Sequence, residues 1–279
     1  MLTRRRLVQL GAGALISGAA TSLYTWRIEP HHLQILHRKL PLRHLPSRLA
    51  GRTLVQLSDV HVGPRVDDEY VTATFRRVAA LAPDIVVITG DFSSYHPQVF
   101  DQVSTVYRHL PAGKMATLGI LGNHDYGPAW RHPEIAQRIV DRVTERGVSV
   151  LRNQTHEVEG LQIVGFDDLW AKRFSPEQQL AALDHSRASL VLTHNPDTVD
   201  LPGWERYQGW ILAGHTHGGQ CKPPFLPPPL LPVQNRRYTS GEFGLSGDRR
   251  LYISRGIGHL LRVRFNVRPE VTAFELRPA

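Results

Sequence analysis

Asp59 and His61 stand two residues apart in "LSDVHVG" (57–63), directly after the apolar run 53–57. An apolar strand that stops at a carboxylate and an imidazole is offering metal ligands. Four more apolar runs stop the same way: "IVVITGD" at Gly90-Asp91, "TLGILGNHD" at Gly122-Asn123-His124-Asp125, "SLVLTHN" at His194-Asn195, and "WILAGHTHGG" at Gly214-His215-Thr216-His217-Gly218-Gly219. Carboxylate oxygens and imidazoles together suit Mn²⁺, Fe or Zn²⁺ better than Mg²⁺ or Ca²⁺, which take oxygen alone. The one cysteine, Cys221, lies in none of these clusters, which excludes a thiolate zinc site. Two such ions about 4 Å apart would clamp the attacking and leaving oxygens of a phosphoryl transfer.

Chemistry of this kind needs a scaffold that brings five chain segments to one rim. From residue 53 the pattern is a βα rhythm. Strands are predicted at 53–57, 84–89, 115–121, 148–151, 161–165, 189–193 and 210–213, with three more in the tail at 242–245, 251–254 and 271–276. Helical spacing covers 67–81, 99–110, 133–146 and a short stretch at 176–185. The run "DIVVIT" is apolar on both sides, as strands buried on both sheet faces are. Ligands in open α/β sheets collect at the carboxyl ends of the strands, where these clusters fall. The segment "KPPFLPPPLLPVQNRR" (222–237) has too many prolines for helix or central strand and reads as a surface loop or polyproline stretch.

The chain has 279 residues, 41% hydrophobic, enough for one large domain. Its net charge of +8 is unevenly spread. Residues 1–50 hold eight Arg/Lys against one acid, Glu29, and the rest holds 25 basic and 24 acidic residues. A nearly neutral body argues against a phosphate-backbone binder, so no specific nucleic-acid partner is expected. Thr3-Arg4-Arg5-Arg6-Leu7 precedes an uncharged Gly/Ala/Ser-rich run to Trp26. This resembles a twin-arginine (Tat) signal, and it is long enough to stay as a membrane anchor. Residues 1–26 are therefore expected to be a signal or anchor. Residues 27–50 are expected to be a basic linker or an edge strand with a solvated basic face, and 51–279 the catalytic domain. The expected location is the periplasm or extracytoplasmic face by the Tat route, or an inner-membrane anchor, with the Tat machinery as a transient partner.

The ordered set Asp59-x-His61, Gly90-Asp91, Gly122-Asn123-His124-Asp125, His194 and Gly214-His215-Thr216-His217 resembles the five motifs of the calcineurin-like metallophosphoesterase family. It runs from residue 59 to 217 with the family's growing spacings. "GHTHGGQ" and the tail "LYISRGIGHLLRVRFNVRPEV" are similar to its YaeI-type branch of exported or membrane-associated bacterial phosphodiesterases. The resemblance implies an α/β sandwich of two mixed β-sheets flanked by helices. It implies two divalent ions, Mn²⁺ first, with Zn²⁺ or Fe as alternatives. Asp59, His61 and His217 would hold one ion and Asn123, His194 and His215 the other. Asp91 and a hydroxide would bridge them. His124 would stand over the phosphate, and Asp125 would orient His124 through its other ring nitrogen.

The implied activity is hydrolysis of phosphodiesters at the cell envelope by attack of the bridging hydroxide. An alternative substrate is a UDP-diacylglucosamine-type lipid nucleotide, cleaved at its pyrophosphate. A third reading, a metal-binding scaffold without catalysis, has no use for His124 and Asp125. The tail arginines Arg255, Arg262, Arg264 and Arg268 are open between ion pairing and contact with substrate phosphate.

Overall fold

The computed structural model describes residues 3–279; Met1 and Leu2, the first two residues of the expected signal segment, lie outside the described residues. Twelve strands form two six-stranded sheets. The first sheet contains β1 (Gln34–Leu42), β2 (Thr53–Leu57), β3 (Ile85–Thr89), β4 (Ala116–Ile120), β5 (Ser149–Val150) and β12 (Glu270–Pro278). Its order is β1-β12-β2-β3-β4-β5, parallel except where β12 meets β2. The second contains β6 (Gln154–Val158), β7 (Leu161–Gly165), β8 (Ser189–Leu192), β9 (Gly209–Ala213), β10 (Gly241–Gly244) and β11 (Arg249–Ile253). Its order is β10-β11-β9-β8-β7-β6, with antiparallel pairs only at the two edges.

Period-two alternation distributes the apolar side chains. On β2 and β3, Leu54, Ile85 and Val87 face the second sheet and pack with Ile163, Leu190 and Leu212. Val55, Leu57, Val86 and Ile88 face the other way. There they meet Val71, Phe75 and Val78 of α2 (Asp68–Ala79), Val103 of α3 (Val99–Val106) and Ile139 of α4 (Pro133–Thr144). The outer face of the second sheet packs Val191, Ile211 and Leu251 against Leu180 of α5 (Glu177–Ala182), Trp204 and Tyr207. The result is the two mixed sheets with flanking helices that the family resemblance implied.

At the N-terminus, α1 (Arg4–Leu23) continues through a π-helical turn and a 3₁₀ turn, giving 28 helical residues to His31. Its start is capped by Thr3, whose side chain accepts from the Arg6 N–H. No part of its apolar window is buried against the body. The base of this helix is tied in: Glu29 is buried and accepts from the Val267 N–H at 2.6 Å, and Thr25 C=O accepts from the Arg264 N–H at 3.0 Å. The basic stretch after it is β1, an edge strand paired only with β12.

Candidate metal centre

β2, β3 and β4 leave the first sheet, and β8 and β9 the second, toward a common cluster. The structure brings together Asp59, His61, Asp91, Asn123, His194, His215 and His217, all buried. On one side His61 Nε2 lies 3.0 Å from His217 Nε2, and His217 Nε2 lies 3.5 Å from Asp59 Oδ1. On the other, His194 Nε2 lies 3.2 Å from Asn123 Oδ1 and 3.2 Å from His215 Nδ1. Asp91 Oδ2 stands between the two groups, 3.4 Å from His61 Nε2 and 3.3 Å from His194 Nε2.

The opposite edge of each ring is fixed. His61 Nδ1 meets Ser94 Oγ at 2.9 Å, His194 Nδ1 donates to Thr89 C=O at 2.8 Å, and His215 Nε2 donates to Pro232 C=O at 2.8 Å. A ring nitrogen committed to a carbonyl leaves its partner nitrogen to face the cluster, as metal-ligating histidines require. Backbone geometry is spent on the same end. Asp59 (φ 50°), His61 (52°), Asp91 (53°), His215 (71°) and His217 (50°) all adopt left-handed backbone without being glycine. Each such residue costs about 1 kcal/mol or more, and strain of this kind concentrates at functional sites. Glycine is required at two neighbours. A Cβ on Gly122 would collide with the Asp91 carboxylate, and one on Gly214 with Ser58 Oγ and the Asp59 carboxylate.

The electrostatics fit a cation. Burial pushes His61 and His215 down to about 3 and His217 well below the usual imidazole range, so these rings are neutral, the form that binds metal. Burial pushes Asp59 up to about 7, with the Asp91 charge adding to it and His194 opposing. Burial would also raise Asp91, but His194, His124 and His61 outweigh it and hold its carboxyl well below the usual range. His194 is raised in turn, because the Asp91 charge overcomes burial. Asn123 aims its amide oxygen at His194, and its Nδ2 has no hydrogen-bond partner. Buried carboxylates short of positive charge, beside neutral imidazoles, make a donor set that divalent ions would complete. Among the described residues, two triads have ligand atoms close enough to share an ion: Asp59, His61 and His217, and Asp59, Asp91 and His194.

His124 sits half-buried at the rim, its ring edge-to-face with His61 at 5.1 Å. Its backbone N–H donates to Asp91 Oδ1 at 2.9 Å. The expected hydrogen bond from Asp125 to the His124 ring is not formed. Asp125 turns the other way on the 3₁₀ turn 123–126 and accepts from the backbone N–H groups of Phe92, Ser93 and Gly122 at 3.2, 3.0 and 3.0 Å. It is a clamp between the loop that carries Asp91 and the loop that carries Asn123. Burial and the Asp91 charge push it up to about 8, against the pull of those three N–H groups.

The tail arginines are structural where they are buried. Arg264 is fully buried and donates to the carbonyls of Arg255, Gly258 and Val267, while Arg255 pairs with Glu270. Asn195 and Thr216 cap the 3₁₀ turns that follow their strands. One strand end escaped the sequence reading. β7 ends in "GFDDLW". Asp168 there is buried, with one oxygen unpaired, and burial raises it to about 6 while the His194 charge pulls it down. Trp170 places its ring edge-to-face on His215 at 4.4 Å. The signal was the same as at the other five ends, an apolar run followed by carboxylates.

Comparison with known proteins agrees with this geometry. The family model described as calcineurin-like phosphoesterase matches residues 52–219. The chain is similar to the phosphodiesterase YaeI of Escherichia coli (strain K12), with 29% identity covering 99% of this chain and 100% of that one. It is also similar to the UDP-2,3-diacylglucosamine pyrophosphatase LpxG of Chlamydia trachomatis, with 26% identity covering 90% of this chain and 93% of that one. The solved structure of a dimetal phosphatase from Danio rerio shares the fold, with a TM-score of 0.51 and 12% identity over 76% of this chain and 90% of that one.

Proposed function

We propose, from the premise that the chain belongs to the calcineurin-like phosphoesterase family, that it hydrolyses phosphodiesters at the cell envelope with two divalent ions. The observation that carries this is the position of Asp91 Oδ2, within 3.4 Å of an imidazole nitrogen on either side. A carboxylate so placed can serve two ions at once. Asp59, His61 and His217 would hold the first, and Asn123, His194 and His215 the second. Bound there, the ions supply Lewis-acid polarisation of the phosphoryl group and neutralise charge that develops on it.

The chain's own residues do the rest. His124, at the rim and free of the ring contacts that fix the ligands, is the catalytic residue, placed to donate to a phosphoryl or leaving oxygen. Asp125 is a positioning residue, holding the Asp91 and Asn123 loops at fixed separation. Mn²⁺ is the proposed ion, with Zn²⁺ and Fe as alternatives, because the donor set mixes oxygen with imidazole. The diesterase reading is supported by the phosphodiesterase relative that spans the whole chain. The pyrophosphatase relative favours a second reading, a lipid-linked nucleotide substrate.

The location is proposed on separate grounds. Three arginines start a 28-residue helix with no buried face in its apolar window. Tyr24, Trp26 and Arg27 lie at its far end, the composition of a membrane interface. Arg4, Arg5 and Arg6 are proposed to stay cytoplasmic, with the helix as a Tat signal retained as an anchor and residues 51–279 as an extracytoplasmic catalytic domain.

Hydrolysis of bis-p-nitrophenyl phosphate and of p-nitrophenyl phosphate by Mn²⁺-loaded protein tests the activity. The expected result is faster cleavage of the diester and loss of both activities in chelator. A protein that binds two ions yet cleaves neither compound would be a scaffold, and one that prefers the monoester would not be a diesterase.

A further inference from the structure

The proline-rich loop has no part in the chemistry above, yet it is built against the metal centre. Pro232 C=O accepts from His215, and a Cβ on Gly219 would run into Pro228. The loop is also built against the base of the N-terminal helix. Pro224 lines one cleft with Tyr24 and Phe265, and Lys222 N–H donates to Phe265 C=O at 2.8 Å. One surface therefore runs from the helix base to the backing of the metal centre, at the carboxyl end of β9.

That surface is where the body exposes its apolar side chains. Beyond residue 28, six large hydrophobic residues are exposed among the described residues. Four of them belong here: Phe225, Leu226, Leu230 and Leu261. Phe225 is 104% exposed, at the tip of a loop whose six prolines from 223 to 232 hold it extended. The Leu261 segment is joined to the loop by Gln220, whose Nε2 donates to the Leu261 and Val263 carbonyls at 2.8 and 2.9 Å. Contiguous exposed apolar groups mark an interaction surface.

Charge identifies the partner. Residues 215–239 and 255–269 contain no Asp or Glu. Arg27, Lys222, Arg236 and Arg262 are exposed around the apolar tip, and none of them forms an ion pair among the described residues. Aromatic and leucine side chains ringed by unpaired cations, beside the end of a helix long enough to span a bilayer, match an anionic lipid surface.

We propose that Phe225, Leu226, Leu230 and Leu261 form a bilayer-docking surface that seats the metal-centre end of the two sheets against an anionic membrane. The helix base holds the body through Thr25 and Glu29, at one side of this surface. The loop adds a second contact and turns the metal-centre end toward the membrane, so that phosphates at headgroup depth lie near that end. The docking surface does not depend on the phosphodiesterase reading; only its consequence for substrate rests on that reading.

The test uses the full chain, reconstituted into vesicles of phosphatidylcholine and phosphatidylglycerol. In the Cys221→Ser background, Phe225→Cys, Leu261→Cys and Arg206→Cys each carry one polarity-sensitive fluorophore. Arg206 lines a cleft with Ser189 and Gly209, at the starts of β8 and β9 and so at the far end of the strands from the metal centre. Positions 225 and 261 are expected to shift to the blue and to be quenched by brominated acyl chains, with position 206 staying aqueous. Replacing phosphatidylglycerol by phosphatidylcholine should reduce the shift. An aqueous signal at 225 and 261 in the reconstituted protein overturns the docking surface, and equal shifts at 206 and 225 overturn the orientation. The double variant Phe225→Glu/Leu226→Glu should lose contact at 261 and keep the diester activity measured in detergent. Absence of that activity in the parent would sink the enzyme reading and leave the docking result standing.

Discussion

Removing the Asp125 carboxylate separates a clamp from a catalytic partner. In Asp125→Ala three backbone N–H groups, of Phe92, Ser93 and Gly122, lose their acceptor in a fully buried site. Leaving a buried donor unsatisfied costs about 1–3 kcal/mol, so three give roughly 3–9 kcal/mol before relaxation. Water entering the space left by the carboxylate would recover part of this, which makes about 3–5 kcal/mol the working expectation. Domains are stable by only about 5–15 kcal/mol, so this is a large fraction. At about 2–4 °C per kcal/mol for a chain of this size class, Tm should fall by roughly 6–20 °C. Asp125→Asn keeps one acceptor oxygen and turns an NH₂ toward a donor, and should fall between parent and alanine variant.

Thermal unfolding of the three proteins in excess Mn²⁺, followed by circular dichroism, reads this directly. Metal content measured alongside should drop with Asp125→Ala, because the Asp91 and Asn123 loops lose their common brace. The contrary outcome is definite. If Asp125→Ala melts within about 2 °C of the parent, a difference worth about 1 kcal/mol or less, and loses kcat as far as His124→Ala does, the carboxylate works through the His124 ring and the clamp is wrong.

Other outcomes follow from the same geometry. Asp91→Ala should lose most of both ions by elemental analysis; retention of two would refute its shared position. His124→Ala should keep its metals and its KM and lose about 10²–10⁴ in kcat, with a smaller loss for p-nitrophenolate leaving groups; rescue by added metal would make His124 a ligand. Stability should fall on acidification. His61 and His215 are depressed by burial to about 3, below the 6.5 of an unperturbed imidazole, so their contribution is present above about pH 6.5 and lost as pH falls toward 3. In the metal-loaded protein Tm and bound metal should therefore decline together over that window, and a flat profile would contradict neutral buried rings. Changing Arg4 and Arg5 to lysine should leave the protein in the cytoplasm by fractionation, and normal export of the double variant would exclude the Tat route.

The site was legible because its logic is one-dimensional. A strand that is apolar and then abruptly Asp, His or Asn announces both its burial and its purpose, and β2, β3, β4, β8 and β9 each do so within a few residues. β6 was not legible, because "QTHEV" is an edge strand exposed along most of its length and carries no apolar alternation. β1 was ambiguous for the same reason, its exposed middle being His37-Arg38-Lys39.

The direction of side chains is a different kind of information. Asp125 follows His124 in sequence, and the family resemblance implied a partnership between them. The 3₁₀ turn sends the two apart, one to the rim and one into the space between loops. The left-handed backbone at Asp59, His61, Asp91, His215 and His217 is likewise invisible in composition. None of these five is glycine, so local preference opposes the conformation, and the surrounding packing imposes it. Packing of that kind must be stiff, and stiffness here comes from groups that never meet substrate: the Asp125 clamp, the Thr89 and Pro232 carbonyls behind His194 and His215, and the buried Arg264 that gathers the carbonyls of the tail loop. The residue types that converge are written in the strand ends; the precision with which they converge is stored one layer behind them.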